Sequence, residues 1–325
     1  MLQSKQSEAF LAVMETGSFE AAAEKLYLTA SAVTLRIQSL EKALGHILLI
    51  RERPCRATKA GQMLLEHLQH TRLIQESFLQ DLQGKAENSQ FYKVRIGSNA
   101  DSLATWLLPA LQHCLIEQQI ALELKIEDQT QTHHLLETGL VNACISTEQQ
   151  PMKGCVAKPL GLMRYKLVAT PTFKTDWFAQ GINRDSLSQA PAVIFNAQDH
   201  MHAALLLENF GLHPQAYPHH FIPSSTAFLA MIELGLGYGL VPLIQMQDQL
   251  EQGTLLELAA NSPVDVMLYW HHWKRQSAAL EKLTTTILEQ SRHYLSPAAI
   301  ATSNKSAGKT LGVNHIKFKI GGVTL

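Results

Sequence analysis

Ser31, Leu35, Gln38 and Lys42 recur every three or four residues, the spacing that a helix turns into one line. The line carries a hydroxyl, an alkyl group, a carboxamide and an ammonium, with the Thr34 hydroxyl beside it. Such groups contact base edges and phosphates; they form neither a nucleophile–base pair nor a metal set. Arg51, Arg53 and Arg56 follow, and their guanidinium forks suit phosphate or the minor groove. A second group is acidic: Asp101, Glu127, Asp128 and Asp199. It is accompanied by two polar turns, Ser98-Asn99-Ala100-Asp101 and Pro223-Ser224-Ser225-Thr226, each predicted to join a strand to a helix. Backbone N–H groups at such turns favour an anion such as a carboxylate, while the acids favour a cation. Together they describe an amino-acid site with a preference for a basic side chain. A plainer reading also stands for each. Asp101, Ser102, Asp199 and Ser224 to Thr226 are ordinary N-cap types, and Glu127 with Asp128 can be a solvated strand end.

The elements that must hold the first group are legible in residues 1–90. Phe10, Val13 and Met14 follow helical spacing, and Gly17 stops that helix. Ser18 is predicted to cap a short helix bearing Ala21, Ala22, Ala23 and Leu26. Thr29 or Ser31 then caps a third, which Gly45 ends. Val33, Ile37, Leu40 and Leu44 fall within about 60° on that third helix and are the expected buried face. The line of Ser31, Leu35, Gln38 and Lys42 lies opposite. Two helices joined by a tight turn, the second with a polar outer face, make a helix-turn-helix. ILLIRER (47–53) reads as a strand broken by Pro54, and RATKAG (56–61) returns as the second strand of a wing. Residues 59–84 read as a long helix with Leu64, Leu65, Leu68, Phe78, Leu79 and Leu82 on an apolar stripe, and GKAENSQ (84–90) as a polar hinge.

The stretch AAAEKLYLTASAVTLRIQSLEKALGHILLIRERPCRATKAG (21–61) resembles the winged helix-turn-helix of LysR-type transcriptional regulators. Ala22-Ala23, Leu26, Ser31-Ala32-Val33, Ile37, Leu40-Glu41, Leu44-Gly45, Arg51, Thr58 and Ala60-Gly61 carry the likeness. Ala30 and Thr34 stand where the family usually has Gln and Ser. The resemblance implies that the long helix pairs two subunits. It also supports Thr29, Ser31, Thr34, Leu35, Gln38, Lys42, Arg51, Arg53 and Arg56 as the DNA-binding residues.

From Lys93 onward strands and helices alternate. VRIGS (94–98), IALELKIED (120–128), VNACIS (141–146), APAVIF (190–195), HHFIPS (219–224), YGLVP (238–242) and MLYWHH (267–272) read as strands. The helices fall between them, with a last one over about 276–294. Such alternation predicts a mostly parallel α/β sheet. NADSLATWLLPAL (99–111), IEDQT (126–130), DHMHAAL (199–205), PSSTAF (223–228) and MLYWH (267–271) closely resemble the ArgP/LysG branch of the LysR family. Gln129 stands where a second acid often follows the ED pair, and Asn142 replaces an Asp usual in the family.

The resemblance implies an α/β architecture in which a winged helix-turn-helix and linker helix precede a two-lobed effector domain of the periplasmic-binding-protein type (type 2). Two strands, near 164–170 and 266–271, would cross between the lobes and leave a cleft. The boundaries expected are 1–58 for DNA binding, 59–90 for linker and hinge, 91–296 for the effector domain, and 297–325 for a disordered tail. The implied function is a sequence-specific activator that binds an operator in double-stranded DNA and responds to L-lysine or L-arginine. It would control genes of basic amino-acid export or metabolism and work as a dimer or tetramer. Ser98, Asn99, Asp101, Asp128, Asp199, Ser224 and Ser225 are the expected effector-binding residues. A different small effector, or a redox-sensing regulator, is the alternative.

Composition closes off other classes. The chain has 325 residues, 27 basic against 28 acidic, 46% apolar and 17% charged. That balance excludes a disordered or acidic-tail protein. No apolar run approaches the ~20 residues of a membrane span, and MLQSKQSEAF lacks a signal-peptide core, so the expected compartment is the cytoplasm. Charge is uneven: Lys25, Arg36, Lys42, Arg51, Arg53, Arg56 and Lys59 face only Glu41 and Glu52 in residues 25–60, the footprint of a nucleic-acid contact. Four lysines and no acid follow Pro297. No Gly-rich phosphate loop, GxSxG elbow or HExxH motif supports an enzyme, and neither cofactor nor metal is expected. The histidine doublets at 133–134, 219–220 and 271–272 and HMH at 200–202 read as surface or satisfied core. Cys55, Cys114, Cys144 and Cys155 read as free thiols, with Cys144–Cys155 the conceivable redox pair.

Overall fold

The computed structural model describes residues 5–83, 91–128, 132–259 and 262–297. The hinge expected at 84–90, Gln129 and nearly all of the tail expected at 297–325 lie outside them. Helix α1 (Lys5–Thr16) ends before Gly17, and the Ser18 hydroxyl caps α2 (Phe19–Leu26) by accepting the Ala21 N–H. Thr29, rather than Ser31, caps α3 (Ala30–Leu44), and Gly45 closes it in the left-handed region. Phe10, Val13, Ala22, Ala23, Val33, Ile37 and Leu40 form the module's core. Leu44 does not join them: it is 38% exposed, because the last turn of α3 runs past the packed helices.

The wing is shorter than the sequence suggested. Strands β1 (Leu49–Ile50) and β2 (Arg56–Ala57) pair antiparallel over two residues each. Flanking backbone groups are taken by other partners. The Leu48 N–H donates to the Glu41 carboxylate, the Leu48 carbonyl accepts the Thr58 N–H, and the Thr58 hydroxyl donates to the Ile47 carbonyl. Helix α4 (Lys59–Gln83) follows. Its predicted stripe divides: Leu64 and Leu68 pack into the module core, while Phe78 and Leu79 stand exposed. The Leu82 side chain lies outside the described residues. Midway, α4 docks on the effector part. The His70 ring stands edge-on to Trp273 with centroids 3.9 Å apart, and a Cβ on Gly139 would sit 2.7 Å from the His70 nitrogen. Only glycine fits that approach.

The larger part begins with β3 (Tyr92–Ser98), α5 (Ala100–Ser102), a π turn over Leu103–Leu107, α6 (Leu108–Glu117), β4 (Ile120–Ile126), α7 (Thr132–Glu137) and β5 (Ala143–Ser146). A long strand, β6 (Cys155–Ala169), leads into α8 (Pro171–Phe178), α9 (Arg184–Gln189), β7 (Ala192–Ile194), α10 (His200–Phe210), β8 (His219–Phe221), α11 (Ser225–Glu233) and β9 (Gly239–Pro242). Then come α12 (Leu243–Glu251), β10 (Leu256–Glu257), β11 (Val264–Trp273) and α13 (Ala278–Gln290).

The main sheet runs β10-β6-β11-β5-β3-β4, with β9 also on β6. It is mixed, not mostly parallel: β3 pairs parallel with β4 and β5, and the other pairs are antiparallel. The reason is the crossing. β6 and β11 run in opposite directions, paired from Tyr165↔Val264 to Cys155↔Trp273, so the sheet changes sense where the chain passes between lobes. A smaller parallel sheet, β7–β8, belongs to the second lobe. Trp106, Leu111, Trp270, Leu283 and Ile287 fill the first lobe, and Phe228, Ile232, Val241 and Met246 pack in the second. The Trp270 indole N–H donates to Thr284 Oγ1 at 3.1 Å, so this core tryptophan is satisfied.

Candidate functional sites: recognition face and cleft

On the helix-turn-helix, Ser31, Leu35, Gln38 and Lys42 are all exposed along one side of α3. Thr29 accepts the Ala32 N–H and lies 3.0 Å, oxygen to oxygen, from the Ser31 hydroxyl. Thr34 is half-buried, and its hydroxyl donates to the Ala30 carbonyl at 2.9 Å, which ties it to its own helix. In the wing, the Arg51 guanidinium lies over the Phe19 ring, 5.3 Å from its centroid. Arg53 stands 3.8 Å from Glu20 with both side chains exposed, and Arg56 is exposed on β2. A weak exposed pair of this kind contributes little to stability and leaves the guanidinium available to phosphate. The arrangement offers hydroxyl, amide, alkyl and cationic groups outward from a rigid support.

The second site lies between the lobes. Asn99, Asp101, Asp128, Asp199 and Ser225 line one cavity, joined by Glu127. The sequence places them on the turn after β3, the end of β4, the start of α10 and the start of α11. Ser98 and Ser224, expected with them, are not part of the lining. The Ser98 hydroxyl is fully buried and donates to the Asn99 carbonyl; Ser224 is exposed and caps α11 through the Ala227 N–H. The helix after β3 begins at Ala100, so Asp101 and Ser102 sit inside its first turn rather than capping it. Asn99 is the cap residue, yet its side chain makes no capping bond, and its Oδ1 is buried with no hydrogen-bond partner. Asp199 does cap α10: its carboxylate accepts the N–H of Met201 at 3.1 Å and of Phe195 at 3.4 Å.

Residues from the crossing strands and beyond complete the cavity. Tyr165 on β6 donates its hydroxyl to Asp101 Oδ2 at 2.8 Å. Gln245 of α12 accepts the Ser225 hydroxyl and donates to the Ser225 carbonyl, both at 3.1 Å. No local pattern in the sequence marked Tyr165 or Gln245, because their neighbours in space are tens of residues away. Burial pushes the Asp101 carboxyl above the usual carboxylate range against the nearby Ser225 hydroxyl and the hydrogen bond from Tyr165, and Asp128 pushes it further. Burial likewise raises Asp199, opposed by its two backbone hydrogen bonds and reinforced by Asp128 and Asp101. Among the described residues lining the cavity, four carry carboxyl groups and none is basic. The cavity is partly open to solvent and holds a space of about 60 Å³. That is room for a few waters.

No group of three or more potential metal ligands occurs among the described residues. His202 is core but not satisfied: it is buried beside Tyr217 and Tyr238, and neither ring nitrogen has a hydrogen-bond partner. Cys55, Cys114, Cys144 and Cys155 are free thiols. Cys144 and Cys155 share one apolar cluster, and burial pushes both thiols up, Cys155 to about 11. A thiol kept neutral in this way is a poor redox nucleophile. The Asn142 carboxamide oxygen accepts the Arg95 N–H at 2.8 Å, a structural bond between β3 and the turn before β5. No helix among the described residues is long and apolar enough to cross a membrane.

Comparison with known proteins bears on both sites. Residues 4–62 match the model for the bacterial regulatory helix-turn-helix protein of the lysR family, and residues 88–292 match that for the LysR substrate binding domain. The HTH-type transcriptional regulator ArgP of Vibrio parahaemolyticus is 37% identical over 294 residues, 90% of this chain and 98% of the relative. ArgP of Pectobacterium atrosepticum is 39% identical over 289 residues, 89% and 96% of the two chains. Among solved structures, ArgP from Mycobacterium tuberculosis superimposes with a TM-score of 0.75 at 34% identity, covering 92% of this chain and 100% of its own. Full-length LysG from Corynebacterium glutamicum with bound effector Arg gives 0.68 at 29% identity, covering 90% and 99%.

Proposed function

The chain belongs to the LysR family of bacterial transcriptional regulators, and on that premise we propose that its cleft binds L-arginine or L-lysine and thereby alters how the protein holds DNA. It is a DNA-binding regulator of the ArgP/LysG type, not an enzyme. The observation that carries the effector assignment is the cavity between the lobes, ringed by Asp101, Glu127, Asp128 and Asp199 with no basic residue on its described lining. Two of those carboxyls are half-buried with raised pKa, so a guanidinium or ammonium entering there replaces an unfavourable like-charge cluster with opposite-charge pairs. Asn99 supplies a buried acceptor with no partner, and the backbone at Ala100 and Ser225 lies at helix starts where a ligand carboxylate is favoured.

In this reading residues 1–58 bind DNA, 59–90 pair subunits and act as hinge, and 91–296 hold the effector. Ser31, Leu35, Gln38 and Lys42 of α3 enter the major groove with Thr29 and Thr34, while Arg51, Arg53 and Arg56 hold the flanking backbone. Closure of the lobes on the ligand biases the crossing strands β6 and β11. The His70–Trp273 contact at the end of β11 passes that bias to α4. A dimer, or a tetramer as two dimers, reads half-sites about one helical turn apart or a multiple of it. The protein works in the cytoplasm as an activator of genes for basic amino-acid export or metabolism.

Thermal unfolding with L-arginine, L-lysine, citrulline and norleucine tests the effector assignment. A ligand at 100 times its Kd adds about 2.7 kcal/mol to stability. The expected result is a higher Tm with the two cationic amino acids only. Equal shifts with citrulline, or none with any of the four, would remove the assignment while leaving the DNA-binding module untouched.

A further inference from the structure

Tyr27 ends α2 in the left-handed region, φ 54° and ψ 46°, and its side chain is 96% exposed. The backbone there has a structural task. The Tyr27 N–H donates to the Glu24 carbonyl at 3.2 Å and the Leu28 N–H to the Ala23 carbonyl at 2.9 Å, closing the helix and turning the chain toward α3. That task is independent of the side chain. At the ends of α1, α3 and α10 the same conformation is taken by Gly17, Gly45 and Gly211. Left-handed backbone disfavours a residue with a bulky Cβ substituent, and Gly or Asn would serve this turn with less strain. The phenol is thus held, at a cost to folding, where the fold makes almost no use of it. Strain of that kind at an exposed position points to a partner outside the chain.

Its place in the fold names the partner. Tyr27 lies two residues before Thr29, the cap of α3, so it stands at the end of the recognition helix that leads into the groove. Lys25, on the preceding turn, pairs with Glu15 at 2.5 Å and not with Tyr27. A tyrosine at that edge has a hydroxyl to donate to a phosphate oxygen and a ring to lie on deoxyribose. We propose that Tyr27 is a DNA-backbone contact of this regulator, packing on the sugar-phosphate strand beside the α3 N-terminus. The inference rests on the DNA-binding function and is independent of the effector assignment.

The test uses the full chain, a duplex enriched by the wild-type protein from a random-sequence pool, and an unrelated duplex of equal length. Tyr27→Asn relieves the backbone strain, so its Tm is expected to equal or exceed that of the wild type. Its affinity for both duplexes is expected to fall about fivefold or more, because a backbone contact is blind to sequence. Tyr27→Phe, which keeps the ring and loses the hydroxyl, should fall between the two. Wild-type affinity in Tyr27→Asn overturns the proposal, and so does a clear drop in its Tm, which would show that the phenol serves the fold. If the wild type enriches no duplex, the DNA-binding function fails along with the proposal.

Discussion

The recognition face and the cleft solve opposite problems. The face takes its side chains from one helix and a short wing, between Thr29 and Arg56, and presents them to solvent. The cleft draws on separate segments, from Asn99 to Gln245, and holds Asp101 and Asp199 half-buried. One site is basic, and in the proposed reading meets a polyanion; the other is acidic and meets a cation. Exposed groups on a rigid helix cost the fold almost nothing, whereas half-buried carboxyls weaken the empty effector domain. Substitutions should therefore act differently in the two regions: neutral for stability on the face, stabilising in the empty cleft.

Replacing both Asp101 and Asp199 by Asn gives the largest expected effect. Asn99 and Tyr165 keep their places, and Asn serves as well as Asp at the α10 cap. The arginine-induced Tm shift should disappear, with affinity reduced at least 100-fold. The unliganded Tm should rise, because carboxyls whose folded pKa is raised penalise the folded state at neutral pH. A falling Tm with the ligand shift intact would erase the contrast between the sites.

His202 sharpens the comparison within the effector domain. Burial lowers its pKa from 6.5 to about 4. The unfolded chain thus takes up the proton first, and stability is lost as pH falls from about 6.5 to about 4. The full loss is on the order of 3 kcal/mol. His202→Leu should flatten that part of the stability profile, read by denaturant unfolding across the range. An unchanged slope would place the acid sensitivity elsewhere.

The smallest effect is expected on the face. Gln38→Ala should leave Tm unchanged and reduce discrimination between enriched and unrelated duplexes about tenfold, the value of one base contact. Equal losses on both duplexes would make Gln38 a backbone contact instead.

The face was legible because its signals are local. Ser18 and Thr29 as caps, Gly45 as a stop and the apolar period of Val33, Ile37 and Leu40 need no distant partner. Reading failed where an element outran its neighbours, as at Leu44, or where side chains took over strand pairing, as Glu41 and Thr58 did in the wing. In the cleft, turn chemistry pointed to Asn99, Asp101 and Ser225, and charge to Asp128 and Asp199, all of which line the cavity. The same chemistry fits Ser98 and Ser224 equally well. Turn residues reveal a helix start, not the direction in which it faces.

The sequence alone determined the helix-turn-helix, the alternation of strands and helices, the acids available to a cationic ligand, and the family. Those follow from periodicity, capping and side-chain type, which act over a few residues. Only the tertiary structure decided that the sheet is mixed, that Tyr165 on β6 meets Asp101, and that α4 docks on the lobe at Gly139 beside Trp273. These depend on pairings across long stretches of chain. There the packing of whole elements, rather than the preference of any residue, fixes which side chains share a space.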